Sequence, residues 1–83
     1  MKSSLSSIAN GTKVIVQSIT ESQLRVKLME MGLTKGKVIE VLYRAPLGDP
    51  IAIDINGYVL SLRKDEASLI QVDLFEQKTT EKV

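Results

Sequence analysis

Asn56-Gly57 stands between two runs in which apolar residues fall on every second position: Ile51, Ile53 and Ile55 before it, Tyr58, Leu60 and Leu62 after it. A two-residue loop of this composition accepts the positive φ angles of a type I′ turn, whose twist matches that of two paired strands. Each alternating run offers one face to a core and the other to water. A tight antiparallel hairpin is therefore expected over 51–62.

The same period recurs elsewhere. "TKVIVQSI" (Thr12–Ile19) sets Val14, Val16 and Ser18 against Ile15, Gln17 and Ile19, and its β-branched content favours a strand. "KGKVIEVLYR" turns at Lys35-Gly36 and then alternates, with Ile39, Val41 and Tyr43 on one face. "LIQVDL" closes the series, with Ile70, Val72 and Leu74 against Gln71 and Asp73. Between the first two runs, "TESQLRVKLMEMG" carries Leu24, Leu28 and Met31 at i, i+4 and i+7, the stripe of an amphipathic helix. Thr20 and Gln23 fit a capping box at its start. Gly32 and Leu33 fit a left-handed ending with its hydrophobic contact. The spacing thus predicts a helix over about 20–31, and "KDEAS" leaves room for one helical turn near 65–68.

Eighty-three residues make one small domain, in which five short strands cannot bury both faces of a flat sheet. Curling into a small, partly open antiparallel barrel with the helix plugging one end meets that constraint. The expected domain is 1–75. The tail 76–83 loses periodicity and gains charge, and is expected to be disordered.

Composition narrows the chemistry. There is no histidine and no cysteine, so a closed transition-metal site lacks its usual ligands, and no disulfide or thiolate chemistry is available. A general base would have to be a carboxylate, lysine or tyrosine with a far-shifted pKa. Asp65 and Glu66 are adjacent on a turn and point apart, while the other acids lack calcium-loop spacing. No catalytic residue, metal ligand or cofactor is assigned, and an enzyme is not expected. Net charge is +1, and the three aromatics do not interleave with the basic residues Arg25, Lys27, Lys35 and Lys37, so no nucleic-acid partner is expected. No segment approaches the ~20 apolar residues of a membrane helix, and the expectation is a cytoplasmic protein without membrane insertion.

What remains is recognition by surface shape. "APLGDP" (Ala45–Pro50) is a stiff corner: both prolines fix their own φ, Gly48 supplies a conformation that other residues resist, and Asp49 can bond nearby backbone. Leu47 sits at the tip, where nothing forces it inward.

Together these residues resemble the FeoA family of small bacterial ferrous-iron uptake proteins. The resemblance runs from Met31 to Val72: Met31, Gly32, Leu33 and Gly36 before the Ile39/Val41 strand, the corner Pro46–Pro50, and Gly57 to Arg63 with Glu66 and Ala67. "LSSI" (Leu5–Ile8) approximates the family's opening segment. The resemblance implies an SH3-like β-barrel with an inserted helix. It also implies a partner, the cytosolic GTPase domain of the membrane transporter FeoB. The expected partner surface is Leu47, Gly48, Asp49 and Pro50 with Arg63 and Lys64 as charged neighbours; weak self-association is compatible with it. Arg25, Arg44 and Arg63 are candidates for an arginine reaching into the partner's nucleotide site. The alternative is a weak transition-metal-binding or metal-sensing domain like the one that ends DtxR-type repressors, its carboxylate site shared between copies. The chain begins at Met1 with no winged-helix segment ahead of it, which weighs toward the uptake protein.

Overall fold

In a computed structural model of the chain, residues 3–75 are described. Around the hairpin signal, Ile51 faces Leu62, Ile53 faces Leu60 and Ile55 faces Tyr58. Asn56 (φ 52°) and Gly57 (φ 87°) supply the two left-handed residues of the turn. The strands are β1 (Ser3–Ser4), β2 (Lys13–Ile19), β3 (Val38–Arg44), β4 (Ile51–Ile55), β5 (Tyr58–Leu62) and β6 (Ile70–Leu74); the helices are α1 (Arg25–Glu30) and α2 (Lys64–Ala67). All six strands form one antiparallel sheet in the order β1-β6-β2-β3-β4-β5. Its ends, β1 and β5, are not paired with each other, so the barrel stays open.

Two bulges curl this sheet. In β2 the register against β6 slips between Val16 and Ser18, leaving Gln17 unmatched. In β3 the register against β4 slips between Val41 and Tyr43, leaving Leu42 unmatched. An extra residue increases local twist and reverses the in–out parity beyond it. Simple alternation therefore fails at two places. Tyr43 pairs with Ala52 on the outer face and is 60% exposed, rather than following Ile39 and Val41 inward. Ile19 pairs with Ile70 and packs on the core, rather than pointing away from it.

The concave side is filled by Val14, Val16, Ile39, Val41, Ile51, Ile53, Ile55, Leu62, Ile70 and Val72. Leu5, Leu28, Leu33 and Ala67 enter the same cluster from outside the strands. Full burial of each large aliphatic contributes about 1.5–3 kcal/mol.

α1 is shorter than its stripe suggests. Thr20 is not its N-cap: the Thr20 N–H donates to the Leu69 carbonyl at 2.7 Å, and its hydroxyl accepts from Gln71 Nε2 at 3.1 Å. The β6 ladder thus claims a β-branched residue that also had helix-capping chemistry. The Ser22 hydroxyl accepts instead from the Leu24 N–H at 3.1 Å, ahead of the helix at Arg25. The C-terminal end is as expected. Gly32 has φ +98°, the Gly32 N–H donates to Met29 O at 3.0 Å, and the Leu33 N–H donates to Leu28 O at 3.2 Å. This is a complete Schellman ending, with Leu33 buried beneath it.

The two-residue strand β1 lies below what alternation can reveal. Ser3 pairs with Val72 and Ser4 with Gln71, and a 3-10 turn (Leu5–Ser7) follows. The segment is held from across the sheet. Because of the β3 bulge, Arg44 lies on the face of Ile51. Its guanidinium donates to Ser6 O at 2.9 Å, Ile8 O at 2.6 Å and Asn10 Oδ1 at 2.7 Å. The expected tail, 76–83, lies outside the described residues.

Arg44→Ala strips donors from these three acceptors. It should cost about 2–3 kcal/mol, a fall in Tm of roughly 8–24 °C for a domain this small. Arg44→Lys should recover only part of the loss, because an ammonium cannot reproduce the planar fork. Thermal unfolding followed by circular dichroism measures both.

Candidate docking surface

The corner closes on itself before it meets anything else. The Gly48 N–H donates to Ala45 O at 2.7 Å, and the Ala45 N–H donates to Pro50 O at 3.0 Å. Gly48 has φ +88°, a conformation that strains any residue with a Cβ. The Asp49–Pro50 peptide is cis. Leu47 is left at the tip, 96% exposed, the most exposed of the large apolar side chains among the described residues.

Asp49 ties this loop to a second element. Its Oδ1 accepts from the Lys64 N–H at 2.9 Å, at the first residue of α2. The structure therefore brings Asp49 and Lys64 together, with Arg63 beside them. The Asp49 carboxylate has a structural task, while Leu47 and the charged ends of Arg63 and Lys64 are free to face outward.

The same helix start uses a carboxylate that composition alone does not single out. Glu66 is only 8% exposed. Its Oε1 accepts from the Arg63 N–H at 2.9 Å, and its Oε2 accepts from Lys27 Nζ on α1 at 3.1 Å. The Arg63 N–H does most to hold the Glu66 carboxyl below its ordinary value, with Lys27 adding to it, and both outweigh the upward push of burial. Lys27 is still largely in water, which screens its share. The Arg63-x-x-Glu66 spacing is a partial capping-box signal for the first bond. No local signal marks the second, because Lys27 is 39 residues away in the chain.

Of the three candidate arginines, Arg44 is spent on the N-terminal segment. Arg25 makes a loose pair with Glu21 at 3.8 Å. Arg63 remains beside the corner. Among the described residues no three acids, histidines or cysteines gather where they could hold a metal ion. No described helix is long and apolar enough to cross a membrane.

An open antiparallel barrel with one short inserted helix defines a small SH3-like domain. Residues 3–74 match the FeoA domain model, and the chain belongs to the FeoA family. A fusion of Fe(2+) transport protein A with the Fe(2+) transporter FeoB from Porphyromonas gingivalis is 38% identical over 77 residues, covering 92% of this chain and 9% of the fusion. The chain thus spans about a tenth of that relative (9%). The NMR structure of a FeoA-like protein from Clostridium acetobutylicum is 40% identical, with a TM-score of 0.85 over 96% of this chain and 94% of the other. Stenotrophomonas maltophilia FeoA, described as an SH3 domain protein complexed with zinc, is 26% identical, with a TM-score of 0.75 over 88% and 89% of the two chains. A manganese-dependent transcriptional repressor shares the fold at 21% identity, with a TM-score of 0.82 over 89% of this chain and 37% of its own.

Glu66 makes stability depend on pH in a defined sense. Its carboxyl titrates lower in the folded chain than the ordinary 4.5, so its contribution is complete above the unfolded value and is lost as pH falls through the folded one. Glu66→Gln should be about 1–2 kcal/mol less stable than the native chain at pH 7. The gap should narrow as pH falls from the ordinary 4.5 through the lower folded value of this carboxyl. Urea unfolding across pH 3–7 reads both limits.

Proposed function

We propose that this protein is a non-enzymatic accessory factor of ferrous-iron import, acting in the cytoplasm on the GTPase region of a FeoB-type transporter. The observation that carries this reading is the related chain in which the two proteins are fused. Fusion holds two domains at an effective concentration of about millimolar, so selection for their proximity is the plain explanation of such a chain.

The corner is the proposed contact. A leucine held out by a closed turn loses little freedom when a partner covers it, so most of its ~1.5–3 kcal/mol of burial goes into binding. Arg63 and Lys64 flank it with positive charge that can choose orientation.

Titrating the 15N-labelled chain with the cytosolic region of FeoB from the same genome, with GDP and with a GTP analogue, tests this. Amide shifts should gather on Leu47–Asp49, Arg63 and Lys64. Leu47→Asp should weaken binding at least tenfold, about 1.4 kcal/mol, and leave stability within about 0.5 kcal/mol. No association in any nucleotide state sinks the proposal.

A further inference from the structure

Strand β2 has unequal neighbours. On the β6 side its pairing runs from Val14 to Ile19. On the β3 side it covers Lys13 to Ile15, and Val16 ends it by exchanging bonds of 2.9 Å with Lys37 O and the Gly36 N–H. Beyond that point the chain leading back from β3 turns off toward α1. Ser18 and Ile19 therefore have a ladder partner on the β6 side only, and the bulged Gln17 before them is matched on neither side.

The vacant side opens into a cleft of about 280 Å³. Ile19, Met29 and Leu33 give it apolar walls, and Arg25 and Lys35 stand at its margin. Met29 is 38% exposed although it lies on the helix beside buried Leu28. Lys35 has no ion-pair partner among the described residues, and the Arg25 pair with Glu21 is stretched to 3.8 Å.

We propose that this cleft receives an extended acidic segment of a partner protein, which adds to the free side of Gln17–Ile19 as a short extra strand. Backbone groups along an open strand edge recognise any extended chain, and side-chain pockets then select among such chains. Three strand residues span about 10 Å, so the occupant is a stretch of about three to five residues. An aliphatic side chain directed at Ile19 and Met29 fills the apolar part. Carboxylates on either side of it meet Arg25 and Lys35. The cations make the choice of occupant: a basic segment would meet two like charges at the margin.

The proposal concerns a surface separate from the corner and does not depend on the identity of the transporter. Its probe is the blocked peptide Asp-Val-Glu-Ile-Asp, titrated into the 15N-labelled full chain at low salt beside its reversed twin Lys-Val-Lys-Ile-Lys. The acidic peptide should shift the amides of Gln17, Ser18, Ile19, Met29 and Lys35 and saturate, while the twin leaves them in place. Affinity should fall at least fivefold in the double variant Arg25→Glu/Lys35→Glu, and also in the native chain between about 20 and about 200 mM salt, where the Debye length shortens about threefold. Equal shifts from both peptides would make the cleft an unselective apolar groove and overturn the proposal. So would silence at these five amides with either peptide.

Discussion

A sheet this short can bury one face only, and it does so by bending at two unmatched residues, Gln17 in β2 and Leu42 in β3. Almost everything distinctive about the molecule follows from those two positions. Beyond Gln17 the strand turns Ile19 inward, so that β2 keeps feeding the core past the place where β3 leaves it. Beyond Leu42 the strand turns Tyr43 out and Arg44 in. The second consequence is the larger one, since it places a planar five-donor group over the carbonyls of a segment that has almost no secondary structure of its own. The same segment carries Leu5, which is fully buried in the core.

How far the sequence discloses this depends on the range of the interaction. The 51–62 hairpin and the Gly32 helix ending are legible because turn residue, backbone conformation and hydrophobic contact are all local. The single helical turn at 64–67 is legible for the same reason. The start of α1 is not, because Thr20 faces two satisfactory fates, a helix cap or a ladder with β6, and the choice is made by residues 69 and 71. The bulges are hidden more deeply. Gln17 and Leu42 are ordinary strand residues, and strict alternation reads straight through them until a partner strand fixes the register. At the corner, stiffness and exposure are both visible in "PLGDP", while the bond from Lys64 to Asp49 is visible only as two residues in one family-like pattern. The Lys27–Glu66 pair has no local trace at all.

A near-neutral chain of this size has few charges to spare, and the structure divides them. Lys27, Arg44, Asp49 and Glu66 are bonded between elements: helix to helix, strand to N-terminal segment, corner to α2. Arg25, loosely paired with Glu21, and Lys35 line the cleft, and Arg63 and Lys64 lie at the corner. Both sets are positive and each adjoins an exposed apolar group, Met29 in one case and Leu47 in the other. That pairing of apolar anchor and cation is what a surface needs to choose an acidic partner without a deep pocket.

Neither surface is large enough to bind tightly alone. One leucine at a loop tip, or three residues of strand edge, falls far short of the ~1,200–2,000 Å² that specific, stable complexes bury. Weak docking is what the proposed role on a GTPase region would require, since a grip in the nanomolar range would outlast the nucleotide states it is meant to distinguish. Two weak contacts joined by a rigid barrel behave differently from either one: once the first forms, the second becomes intramolecular, and their product can exceed either affinity by ~10²–10⁴. Rigidity is then the property that matters, and it returns to the bulges and the Arg44 clamp. They fix the sheet's curvature and with it the separation of corner and cleft, so under the two docking proposals a partner that matches both surfaces would be held and one that matches a single surface released.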